Sequence, residues 1–120
     1  IATVAFRDDR RGVAMGGNIA KPDTVLLNVA VTEDGGVTWY PGTSPPFTGA
    51  VYGAAYATGG AQPILVAVGP KGAAVSWDDA RTWARIDTLS YWSVGMGNGG
   101  RGWLVGPGGR VRRLDLLATP

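Results

Sequence analysis

The chain has 120 residues, 45% hydrophobic and 17% charged, enough for the core of one domain and too apolar for a disordered segment. With no cysteine and no histidine it has no disulfide framework, thiolate metal site, thiol nucleophile or Ser-His pair, and a formal charge of +2 is too small to imply nucleic acid. Its 20 glycines and 8 prolines follow no three-residue period, so collagen is excluded and a turn-rich, all-β chain is expected.

The first element is an apolar strand, "IATVAF" (Ile1 to Phe6), without the basic start and apolar core of a signal peptide. No apolar run anywhere approaches the roughly 18 residues of a membrane span. Asp8 and Asp9 beside Arg10 and Arg11 read as a solvated turn, and "GVAMG" (Gly12 to Gly16) is a second strand that ends in glycine.

The connection that follows, "GNIAKPDTVLLN" from Gly17 to Asn28, is about nine residues longer than its counterpart later in the chain. Because loops carry function more often than frameworks do, it is the candidate ligand loop, with Lys21, Asp23 and Asn28 as its polar groups; a solvated long turn is the structural alternative. The Gly16-Gly17 pair is followed by neither the Lys-Ser/Thr nor the helix of a phosphate loop.

A third strand then leads into "TEDGGVTW", Thr32 to Trp39. Past the proline-rich joint "PGTSPPFTG" the order repeats: a strand, "LVAVG" (Leu65 to Gly69), another strand, and "SWDDARTW", Ser76 to Trp83. A third round begins near residue 89, with Met96 placed before "GWLVG" (Gly102 to Gly106) as Phe6 is before "GVAMG". Tyr91, Trp92 and Trp103 sit at repeated positions and are expected in the core, whereas Trp77, at a variable position, is expected to be exposed. The closing "RVRRL" (Arg110 to Leu114) alternates arginine with apolar residues and reads as a strand edge guarded by charge; an acidic partner is the alternative.

A period of roughly 40 to 45 residues with about four short strands per unit is the signature of propeller blades. The units are drawn at 1–46, 47–88 and 89–120, which gives about three four-stranded antiparallel blades. In each eight-residue box a carboxylate, Asp34 or Asp78, can accept N–H groups across a hairpin turn, and the hydroxyls of Thr32, Thr38, Ser76 and Thr82 satisfy further local groups. Trp39 and Trp83 can cover the turn while keeping an indole N–H to donate. Gly36 can supply a positive φ; Ala80 stands in its place in the second box, where its Cβ resists that conformation. The third unit has no box.

These boxes resemble the Asp-box, or BNR repeat, of sialidases and many other β-propellers. More widely, "TVAFRDDRRGVAMGG", "AVGPKGAAVSWDDARTW" and "GWLVGPGGRV" are similar to propellers related to the photosystem II assembly factor Ycf48. The resemblance implies a structural role for the boxes, a protein-recognition or complex-assembly scaffold, an extracytoplasmic setting, and neither cofactor nor metal. The alternative it leaves is part of a sialidase-like glycoside hydrolase or glycan-binding propeller. Against hydrolysis, sialidases use an arginine triad, an Asp acid and a Tyr polarised by a Glu, whereas the one Glu here, Glu33, lies in the box turn and the arginine spacing defines no triad. Catalysis is therefore not expected. Three blades fall short of the roughly four to eight of a closed propeller, so the expected partners are further blades of the same propeller, a second copy completing the ring, or another protein.

Overall fold

The computed structural model describes residues 3–16, 28–47, 50–57 and 63–116, and its regular structure is antiparallel β apart from one 3-10 turn at Pro107–Gly109. Sheet 1 runs β1 (Thr3–Phe6), β2 (Gly12–Met15), β3 (Val29–Thr32) and β4 (Tyr40–Pro41), each strand beside the next. Sheet 2 repeats the order with β5 (Gly53–Tyr56), β6 (Leu65–Gly69), β7 (Gly72–Ser76) and β8 (Ala84–Asp87). Sheet 3 has β9 (Ser93–Met96), β10 (Arg101–Gly106) and β11 (Arg110–Asp115), with β11 at its edge among the described residues.

Register makes positions in the three sheets equivalent. Phe6 lies opposite Gly12, Tyr56 opposite Leu65, and Met96 opposite Gly102. The next residue in each sheet donates its backbone N–H across the turn: Arg7 to Arg11 O at 3.0 Å, Ala57 to Ile64 O at 2.9 Å, and Gly97 to Arg101 O at 2.7 Å.

The sheets stack in chain order, with β1 touching β5 and β5 touching β9. Successive side chains of a strand point to opposite faces, so sheet 2 can be covered on both sides. Its rear face, with Tyr56, Leu65, Ala67 and Ala80, packs on Val13, Met15, Val29 and Val31 of sheet 1. Its forward face, with Val66, Val68, Ala73 and Val75, packs on Leu104 and Leu114 of sheet 3. Hence β6 and β7 are buried throughout, while β10 alternates exposed and buried residues, as a strand with one covered face must.

The glycine that ends each second strand has a steric reason where its surroundings are described. A methyl group on Gly69 would run into the carbonyl oxygen of Ala50, and one on Gly106 would come 2.5 Å from that of Ser90. The linker to the next sheet passes at these points, anchored by Tyr91 N–H donating to Gly69 O at 3.0 Å; the same linker in the first sheet is held by Val51 N–H to Gly16 O at 2.7 Å.

Three aromatic expectations change. Tyr91 is buried, but Trp92 is 58% and Trp103 48% exposed, and Trp77 packs against the second core instead of facing solvent. The sequence places Trp103 on a strand yet does not say which face is covered; Trp103 points forward, away from Leu104. Trp77 follows Ser76, whose hydroxyl turns into the box, so the indole is thrown to the side that sheet 3 covers.

Candidate functional site

The two boxes form turns with the same bonds. Thr32 Oγ1 donates to Asp34 Oδ1 at 2.9 Å and accepts Gly36 N–H at 2.9 Å, while Ser76 Oγ donates to Asp78 Oδ1 at 2.8 Å and accepts Ala80 N–H at 2.9 Å. Across each turn Oδ1 of the aspartate accepts the backbone N–H of Thr38 (2.9 Å) or Thr82 (2.8 Å), and Oδ2 accepts the threonine hydroxyl at 2.5 Å in both. These bonds favour the charged carboxylate. Thr38 and then Thr32 hold Asp34 down at a pKa of about 2; Asp78 is lowered too, because the bonds from Thr82 and Ser76 together outweigh the burial that opposes ionisation. Both aspartates are committed to their turns.

The boxes differ at their centres and at their tryptophans. Gly35 and Gly36 have φ of 76° and 94°, and the equivalent Asp79 and Ala80 hold φ of 57° and 67° despite their Cβ atoms. Trp39 Nε1 donates to Gly36 O of its own turn at 3.0 Å, with its ring edge-to-face against Phe6 at 6.3 Å. Trp83 Nε1 donates instead to Thr43 O of the preceding unit at 2.7 Å, and Thr43 N–H donates back to Ala80 O at 2.9 Å. Arg85 also reaches the Pro46 carbonyl. The proline-rich joint is thus a strap tied to sheet 2.

Asp79 closes the seam between sheets 1 and 2. Arg7 donates to it through Nε (2.9 Å) and Nη2 (2.8 Å), and the Tyr56 hydroxyl adds a third bond at 2.7 Å. Burial opposes ionisation of Asp79, but the bonds from Arg7 and Tyr56 and the Arg7 charge prevail and its pKa is lowered, while burial, then the bond to Asp79, pushes the Tyr56 phenol up. The seam between sheets 2 and 3 has its own ionic tie. Asp87 Oδ2 accepts the Tyr91 hydroxyl and Arg112 Nη1, both at 2.6 Å, and Arg110 lies over the Tyr91 ring at 5.7 Å while donating to Ser90 O. Two arginines of the C-terminal run are therefore spent on internal contacts. Neither seam tie has a local sequence signal, because each joins residues that only stacking brings together.

Glu33 has an unexpected partner: the Tyr40 hydroxyl donates to its Oε1 at 2.8 Å, beside a cavity of about 20 Å³ that Arg11, Asp79 and Arg81 also line. A Tyr–Glu pair near arginines has sialidase ingredients, but the cavity is the size of a water site and not of a sugar ring. Burial, and then Glu33, also raise the Tyr40 pKa, making it a worse nucleophile at neutral pH. Among the described residues no group of three or more His, Cys, Asp or Glu is placed to hold a metal.

Of the candidate ligand loop, Lys21 and Asp23 lie outside the described residues. Asn28 is buried, with Oδ1 accepting the Ser44 hydroxyl at 2.8 Å and its backbone carbonyl accepting Gly16 N–H at 3.1 Å, so it faces the strap and not an open loop.

The surface that stands out is the forward face of sheet 3. Trp103 lies opposite Arg113 and Val105 opposite Val111, as Val13 lies opposite Val31 and Met15 opposite Val29 in sheet 1. Sheets 1 and 2 bury these positions under the following sheet. In sheet 3, Trp103, Val105 and Val111 are 48%, 39% and 65% exposed, and Arg113 is exposed beside them.

No family model and no curated protein matches the sequence. Among solved structures the chain is similar to that of YCF48 bound to D1 peptide, with a TM-score of 0.65 and 18% identity over 96% of this chain. It spans 37% of that protein's chain. At that identity the likeness speaks for fold alone, and the fold is all-β, its three stacked antiparallel sheets being blades of a β-propeller.

Proposed function

We propose that this chain is a non-catalytic β-propeller segment serving protein recognition or complex assembly, with Thr32 to Trp39 and Ser76 to Trp83 as structural Asp-box turns. The observation that carries the reading is the forward face of sheet 3, where Trp103, Val105 and Val111 are exposed beside Arg113. Aromatic and arginine side chains on an apolar patch are the composition of protein-binding hot spots. That the structurally similar protein was solved with a peptide bound favours a protein partner over a glycan.

The carboxylates support the same reading. A glycosidase acid needs a raised pKa, and Asp8, Asp34, Asp78, Asp79 and Asp87 are all shifted downward by bonds that stabilise their charge. An array of extended peptides, beside a glycan array and a fluorogenic sialoside assay, tests it. Peptide binding that Trp103→Glu abolishes is expected, without sialoside turnover. Glycan binding or turnover without peptide binding would replace this reading by the hydrolase or lectin alternative.

A further inference from the structure

We propose that the forward face of sheet 3 is covered by a second copy of this chain, joined head to tail through the rear face of its sheet 1. This rests on reading that face as a recognition surface and names its partner. The rear face of sheet 1 is the other exposed apolar face: Val4 is 57% and Phe6 41% exposed, at positions where sheet 2 has Ala54 and the buried Tyr56.

The argument for a second copy lies in what both faces lack. The clamped seam joins Arg7, on the forward side, to Tyr56 and Asp79, on the rear side. In sheet 3 the position of Arg7 is Gly97; in sheet 1 the positions of Tyr56 and Asp79 are Phe6 and Gly35. Apposing these two faces leaves no half-clamp, whereas a rear face like that of sheet 2 would bury a carboxylate opposite Gly97 with no arginine, a costly mismatch. The second seam, with Ala57 and Met96 at the corresponding places, already packs without the clamp.

Volumes correspond as well. Trp103 and Arg113 stand where sheet 1 has Val13 and Val31, while Gly12 and Gly36 stand where sheet 2 has Leu65 and Ala80. The larger forward side chains meet the smaller rear ones. A two-fold axis satisfies both faces of both copies at once and gives a ring of six sheets, within the usual propeller range of about four to eight.

Sedimentation equilibrium over a range of concentrations tests this, with circular dichroism to verify folding. The expected result is a dimer whose dissociation constant rises at least tenfold in Trp103→Glu and equally in Val4→Glu. Mixing the two variants should restore dimers, because one of the two contacts in the mixed pair is then unaltered on both sides. A folded monomer at every concentration, a dimer indifferent to Val4→Glu, or no rescue on mixing would overturn the proposal. A folded monomer that still binds array peptides through Trp103 would end the second copy and leave the recognition reading standing. A dimer with the expected variant pattern that binds no peptide would do the reverse.

Discussion

At the residue scale, Asp79 and Ala80 adopt positive φ where the first box uses two glycines. Left-handed backbone costs a residue with a Cβ about 1 kcal/mol or more, and such strain persists when its surroundings require it. Here the Asp79 carboxylate holds Arg7 and Tyr56, and the Ala80 methyl is fully buried in the first core. Replacing Ala80 by Gly relieves strain but removes a buried methyl and frees the unfolded backbone, so stability should change by less than about 1 kcal/mol, read from the urea midpoint. A thermodynamic cycle on Arg7→Met and Asp79→Gly should give a coupling of about 1 to 3 kcal/mol, because either single change strands the other charge in the seam. Strict additivity would mean that the clamp contributes nothing. Ala80 announced its strain in the sequence by breaking the box pattern. The Arg7–Asp79 pair, 72 residues apart, could not be read there, since nothing local fixes which unit's turn meets which unit's strand.

At the element scale, strands and turns were legible because period-two alternation, terminal glycines and the boxes all act locally. Which face of a strand is covered is not local, and that is why Trp77 and Trp103 exchange their expected environments. Gly69→Ala should be strongly destabilising, by about 2 kcal/mol or more, since the opposing atom belongs to the Ala50 backbone and cannot rotate away. A wild-type melting temperature in that variant would show that the linker can shift.

The seam between sheets 2 and 3 carries a pH dependence. Burial opposes the Asp87 charge, yet bonds from Tyr91, Leu89 N–H and Arg112 bring its pKa down to about 2. An unfolded aspartate titrates near 3.9, so the stabilisation is complete above about pH 4 and is lost as pH falls toward 2. Urea midpoints should therefore drop across that window, and less steeply in Asp87→Asn. An equally steep fall in the variant would assign the acid sensitivity to the other lowered aspartates, Asp34, Asp78 and Asp79.

At the scale of the whole molecule, three sheets stack through two seams that use different chemistry, one clamped by Arg7, Asp79 and Tyr56 and the other by Asp87, Tyr91 and Arg112. Buried apolar faces at both seams supply the bulk of the cohesion, and the ionic ties add register, since a misplaced sheet would bury them unpaired. What remains outward is a forward face built like the buried ones but exposed. Hydroxyl-radical footprinting of the chain at low and high concentration tests its role most directly. The account predicts that Trp103 and Phe6 lose reactivity together as concentration rises, while Val37, on the tip of the first box turn, does not change; unchanged reactivity of Trp103 and Phe6 throughout would contradict it.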